Sequence, residues 1–228
     1  MFLNRFIIFF ILCYLLAAAG IAQSDRVHGI PRIIHYTKKD FNSDPQFWTM
    51  CQDNHGIYYF GNNEGVLIFD GERWQKVKLP NSSSVRTLKL SSTGEVYAGG
   101  YNELGTIRRD NEGKFSYHSL LEVLRPEDRN LENIWQIHEA QGYMIFRSAK
   151  KLIALANNKA ITIPTEGTFW YCNVIHNKLY VHDHEGIKHF DLKSMEFRAI
   201  ITNEAYHVEP LLALLGTADE NILLLLTK

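Results

Sequence analysis

The stretch IYYFGNNEGVLIFDGERW, residues 57–74, decides the fold. Apolar side chains fill 57–60, Gly61 to Gly65 read as a turn, a second apolar run covers 66–69, and Asp70-Gly71 opens another turn before Trp74. Short β-prone runs punctuated by Gly, Asn and Asp are the signature of a hairpin. A two-stranded ribbon is marginal in water because it cannot cover its own apolar face. This hairpin therefore needs something to pack against.

The rest of the chain supplies copies of it. The stretch GIYYFGNNEGVLIFDGERWQKV begins at Gly56, and GEVYAGGYNELGTIRRDNEGKFSYHSL begins at Gly94. GYMIFRSAKKLIALANNKAITI follows at Gly142, NKLYVHDHEGIKHFDLKSMEFRAI at Asn177, and NILLLLTK opens a further unit at Asn221. The mean spacing of about 41 residues is that of four-stranded propeller blades. The longest interval holds an insertion, SLLEVLRPEDRNLEN (119–133), which predicts a short helix.

Each unit predicts an apolar first strand (Val85–Leu90, 134–138, 169–175), a very apolar second (57–60), an alternating third (66–69) and a more polar fourth (73–78, 114–118). Apolar inner strands with a polar last strand suit a blade packed between neighbours, its outer edge in water. The predicted fold class is all-β, a β-propeller of four-stranded blades. The ring is incomplete, with about four blades and part of a fifth. A β-sandwich with accidental regularity is the alternative; shared strand order and turn positions in four units argue against it.

The N-terminus reads differently. Arg5, an apolar run over 6–16 and the small-residue stretch AAAGIA predict a secretory signal peptide cut near Ala22. A retained membrane anchor is the alternative, because an uncharged run of about 17 residues lies at the lower limit for crossing a bilayer. The domain plan is a signal peptide (1–22), a lead-in segment (23–46) and the partial propeller (47–228). The chain holds 24 Lys+Arg and 25 Asp+Glu, and losing Arg5 takes its formal net charge from −1 to about −2. That balance offers no electrostatic case for nucleic acid or an anionic membrane. Cys51 and Cys172 remain after cleavage, at matching positions in units about three blades apart, which predicts free thiols rather than a disulfide.

GIYYFGNNEGVLIFDGERW, SVRTLKLSSTGEVYAGGYNELG and ENIWQIHEAQGYMIFRS resemble repeats of the two-component regulator propeller family. More narrowly, they resemble the periplasmic sensor propellers of regulators that continue into a triple-tyrosine domain, a transmembrane helix and a cytoplasmic helix-turn-helix or kinase module. The likeness covers roughly residues 29–228, including GIPRIIHYTKKDFNSDPQFW. It implies a periplasmic, ligand-sensing propeller of a membrane-bound signal-transduction or transcriptional regulator. Such a propeller is non-enzymatic and needs no cofactor. The implied partners are an oligosaccharide or other small ligand, and a signalling module further along the same full-length, inner-membrane-anchored chain. No direct nucleic-acid contact by this segment is implied. Closed rings take roughly 4 to 8 blades, so the expectation is an N-terminal fragment of a longer protein. The alternatives are an exported propeller enzyme of polysaccharide lyase or hydrolase type with its catalytic residues in missing blades, or a structural scaffold.

Candidate ligand-binding residues are Trp48, Trp135 and Trp170, which recur around the first strand of a unit, the strand that lines a propeller's channel. Stacking on a sugar ring is one use for them, and packing between blades is the other. Trp74, on a fourth strand, reads as a blade-to-blade contact. In VHDHEG, period-two alternation puts His182 and His184 on one side of a strand as candidate metal ligands. A site needs three or four ligands, and a polar blade edge is the alternative. Glu64, Asp70, Glu72, Glu103 and Asp110 lie near turns. Paired carboxylates about 5–9.5 Å apart run glycoside chemistry, whereas turn carboxylates more commonly bind backbone. No nucleophile-elbow, zinc-protease or phosphate-loop pattern occurs, and no catalytic residue is predicted.

Overall fold

The computed structural model describes residues 33–202, 211–217 and 222–226. The chain divides into two units, Met1–His35 and Tyr36–Lys228. The predicted signal peptide lies outside the described residues, and the architecture below is that of the second unit.

One helical turn, α1 (Lys38–Phe41), precedes the strands, closed by a capping box between Thr37 and Asp40. The first sheet is β1 (Phe47–Gln52), β2 (Tyr58–Asn62), β3 (Gly65–Phe69) and β4 (Trp74–Val77). The second is β5 (Val85–Leu90), β6 (Val96–Gly100), β7 (Glu103–Arg109) and β8 (Phe115–Ser119). The third is β9 (Gln136–Ala140), β10 (Tyr143–Arg147), β11 (Lys151–Ala156) and β12 (Lys159–Pro164). The fourth is β13 (Tyr171–Ile175), β14 (Lys178–Asp183), β15 (Gly186–Asp191) and β16 (Glu196–Thr202). A two-stranded sheet, β17 (Leu211–Gly216) and β18 (Ile222–Leu226), follows. Every sheet is an antiparallel meander in chain order.

These sheets are propeller blades, and the core lies between them. Ile57, Tyr59, Val66 and Ile68 of the first blade pack with Val85, Val96 and Phe115 of the second. Leu104 of the second meets Ile137, Phe146 and Ile153 of the third. Ile145 and Leu152 of the third meet Cys172, Val181 and Phe190 of the fourth. Second and third strands are therefore largely apolar on both faces, while β12 and β16 hold no buried side chain. The first strands, β1, β5, β9, β13 and β17, lie beside one another in that order and form the inner wall.

Two glycines set how closely blades approach. A Cβ at Gly61 would lie 2.8 Å from the Val85 carbonyl oxygen of the next blade. A Cβ at Gly99, the same place one blade on, would lie 2.6 Å from Ile134 Cγ2. Neither site has room for a side chain.

The short helix expected in the insertion takes the 3₁₀ form, in two turns, Leu121–Val123 and Pro126–Asp128, and one local expectation, for Trp74, is corrected. Pro126 bars Arg125 from the α region, and Arg125 sits at ψ 147°. The ring contacts of Trp74 lie within one blade and not between two: it stacks on Phe69 at 4.5 Å and meets Tyr36, Phe41 and Phe60, seating Tyr36 and α1 on the first blade.

Candidate functional site

One backbone irregularity recurs at the start of the inner strands. Phe47 pairs with Asn62 and Thr49 with Gly61, which leaves Trp48 as an extra residue. Val85 pairs with Gly100 and Thr87 with Gly99, which leaves Arg86 in the same place. Trp135 and Trp170 hold the matching positions ahead of β9 and β13, donating their backbone N–H to Arg147 O at 2.8 Å and His182 O at 2.9 Å. A bulge re-aims the side chain of its extra residue. Here it removes that residue from the blade-to-blade packing, so each blade presents one side chain at the rim of the inner wall.

Those side chains are Trp48, Arg86, Trp135 and Trp170. The tryptophans are 44%, 42% and 43% exposed, so they are not core residues. Trp48 Nε1 donates to Asn63 Oδ1 at 2.8 Å, which fixes its ring against the β2–β3 turn. The Arg86 guanidinium stands 3.8 Å from the Trp48 ring centre and 5.6 Å from that of Trp135, so three neighbouring blades make one continuous rim. Trp170 meets the buried ring of His182 edge-on at 4.9 Å. Because first strands start at the end where second strands finish, the β2–β3, β6–β7, β10–β11 and β14–β15 turns share this end, exposed Tyr101 among them.

Sequence reasoning missed Arg86. The signal was present in register: Phe47-Trp48-Thr49, Val85-Arg86-Thr87, Ile134-Trp135-Gln136 and Phe169-Trp170-Tyr171 align once the strands do.

The histidines do not form the proposed pair. β14 ends at Asp183, and Gly186, at φ 125°, closes a two-residue turn that carries His184 off the strand. His184 lies against Gly167, where a Cβ would come within 2.2 Å of its Nδ1. His182 is fully buried, and burial holds its pKa below the usual imidazole range. Asp183 binds Lys188 Nζ at 2.8 Å. Among the described residues no group of three or more His, Cys, Asp and Glu side chains is placed to hold a metal ion.

Four of the five turn carboxylates, all but Glu72, have structural partners. Glu64 pairs with Lys76. Asp70 and Asp110 accept backbone N–H groups of their own turns, Asp70 from Glu72 and Arg73, Asp110 from Glu112 and Lys114. Glu103 is buried and accepts from Tyr117 and Ser119; burial raises its pKa, with those two hydroxyls opposing. None of the five shares a hydrogen bond with another carboxylate. At the opposite end of the ring a cavity of about 280 Å³ opens between the second and third blades, lined in part by Glu95, Tyr97, Arg108 and Tyr143. Its polar groups bind one another: Tyr97 donates to Glu95 at 2.9 Å, and Arg108 lies 3.5 Å from the same carboxylate.

No protein-family model and no curated protein matches this sequence. Solved structures match its fold. The extracellular domain of the putative hybrid two component system BT4673 from B. thetaiotaomicron is 15% identical, with a TM-score of 0.57 over 78% of this chain. Virginiamycin B lyase from Staphylococcus aureus is also 15% identical, with a TM-score of 0.57 over 80% of this chain and 64% of its own. The WD40 β-propeller domain of Doa1 is 13% identical, with a TM-score of 0.59 over 80% of this chain and 62% of its own. The chain is thus a β-propeller by fold, and it spans 25% of the length of the BT4673 domain.

Proposed function

We propose that this chain is a non-enzymatic, ligand-sensing propeller segment of an exported, membrane-bound regulator, and that its ligand is an oligosaccharide. The observation that carries the reading is the rim: three exposed indoles at one structurally repeated position at the start of the inner strands. Exposed aromatic rings set side by side suit the apolar faces of successive sugar rings. The likeness to an extracellular domain of a two-component system supports an extracytoplasmic place and a sensing role. On this reading the signal passes to a module further along the full-length chain, and the propeller itself touches no nucleic acid.

The test is a glycan array followed by calorimetric titration of each hit. Trp48→Ala, Trp135→Ala and Trp170→Ala are each expected to weaken binding about tenfold, which is 1.4 kcal/mol, with near-ultraviolet circular dichroism confirming the fold. An array without a hit, or hits indifferent to all three substitutions, overturns the reading. The lyase neighbour favours a second reading, an exported propeller enzyme. Cleavage products from any bound glycan would establish that reading instead.

A further inference from the structure

Arg86 sets this rim apart from a merely aromatic one. Its Nε and Nη1 are buried and find no hydrogen-bond partner. No carboxylate among the described residues pairs with it, and its ordered contacts are the two indoles. Nη2, also without a hydrogen bond but not among the buried atoms, is the nitrogen left open to a ligand. Leaving a buried N–H unpaired is costly, and a cation over an aromatic ring recovers part of that cost. The other three blades place an indole at this position and carry no such cost. A guanidinium held beside two rings without a counter-ion, its other two nitrogens buried, has Nη2 to donate to an oxyanion.

We propose that Arg86 makes the rim a subsite for an acidic sugar, its carboxylate or sulfate held by the guanidinium between Trp48 and Trp135. This rests on the oligosaccharide reading above and narrows it. The sugar ring takes the exposed indole surface while the oxyanion takes the cation. The Asn63 hydrogen bond to Trp48 keeps one wall of the subsite in place before any ligand arrives.

The experiment titrates the chain with three probes of equal length: an oligogalacturonate, the corresponding neutral oligogalactoside, and a sulfated form of the neutral sugar. At least one acidic probe is expected to bind ten times or more tighter than the neutral one, with that advantage shrinking as salt rises. Arg86→Gln is expected to remove the advantage. Arg86→Trp restores the residue type of the other blades and serves as the second variant should Arg86→Gln fold poorly; it too is expected to erase the preference. The carboxylate and sulfate arms identify which oxyanion is read. Equal binding of acidic and neutral probes, or a preference that survives both variants, overturns the acidic subsite and leaves the sugar reading standing. Binding of none of the three probes overturns the subsite, and the array then decides the broader reading separately.

Discussion

Gln136 and Cys172 exchange two hydrogen bonds across a blade boundary: Gln136 Nε2 donates to the Cys172 carbonyl at 3.0 Å, and Gln136 Oε1 accepts the Cys172 N–H at 2.9 Å. A side chain on β9 thus stands in for a backbone neighbour of β13. Arg147 completes the clamp, donating through Nε to Gln136 Oε1 at 2.7 Å and through Nη1 to the Phe169 carbonyl at 2.6 Å. In the first two blades Gly61 and Gly99 occupy the position of Arg147, paired with Thr49 and Thr87 as Arg147 is with Gln136. Neighbours there meet by close approach instead of by polar bridging.

Replacing Gln136 by Leu keeps the volume and deletes the clamp. The Cys172 backbone pair and the Arg147 Nε–H then lose their partner at a packed boundary. With about 1–3 kcal/mol for each buried group left unpaired and partial relaxation, the expected loss of stability is roughly 2–4 kcal/mol. Urea unfolding of the two proteins measures it directly. A loss under about 0.5 kcal/mol, the range of neutral surface changes, would show that the boundary is held by apolar packing alone.

The two described cysteines are unpaired and protected to different degrees. Burial pushes the Cys51 thiol up to about 11, with Asp53 adding to the rise, and pushes Cys172 up to about 12. The thiolate is the reactive form. At pH 8 Cys172 should react with a disulfide reagent only on unfolding, and Cys51 slowly in the native protein. Mass spectrometry of timed, quenched labelling separates the two sites. Fast native labelling of Cys172 would contradict the packing of the third blade on the fourth.

His138 gives the fold an acid sensitivity whose sign can be worked out. Burial, reinforced by the charge of Lys89, pushes its pKa from 6.5 down to about 4, against a hydrogen bond to the Cys172 backbone. Its Nε2 is buried without a partner. Between about 6.5 and 4 the unfolded chain takes up a proton that the folded chain refuses, so acidification through this window favours unfolding. The stability at stake approaches 3 kcal/mol at the acid end, at about 1.4 kcal/mol for each pKa unit. His138→Gln removes this one term and leaves the other groups titrating as before. The stability advantage of wild type over variant should therefore shrink as pH falls from 7.5 to 4. A constant difference across that range would mean that His138 protonates freely in the folded protein.

The blades were legible because each is a local pattern: a glycine or asparagine turn, an apolar pair of strands, a polar edge, repeated. The rim was only half legible. Tryptophans draw attention by their rarity, whereas Arg86 looks like any polar residue at a strand start until the bulge registers it with Trp48. The tryptophans' exposure was hidden for the same reason, since strict alternation assigns every strand residue to one packed face and has no place for an extra one. His182 and His184 were misjudged by carrying period two past Asp183, where the strand stops. The insertion's short helix was legible, but not its 3₁₀ form, which Pro126 and short-range bonds decide.

The position shared by Trp48, Arg86, Trp135 and Trp170, a bulge in the first two blades, separates two jobs that a strand normally combines. Its neighbours Val85, Ile134 and Phe169 are buried in the packing between blades, and the rim residue keeps much of its side chain outside that packing. Each blade therefore contributes one letter to a short word written around the opening, and any letter is replaceable without respelling the core. A propeller of this kind inherits its architecture as a whole and its selectivity one position at a time. Exchanging letters between blades is the economical route to redesigning what it recognises.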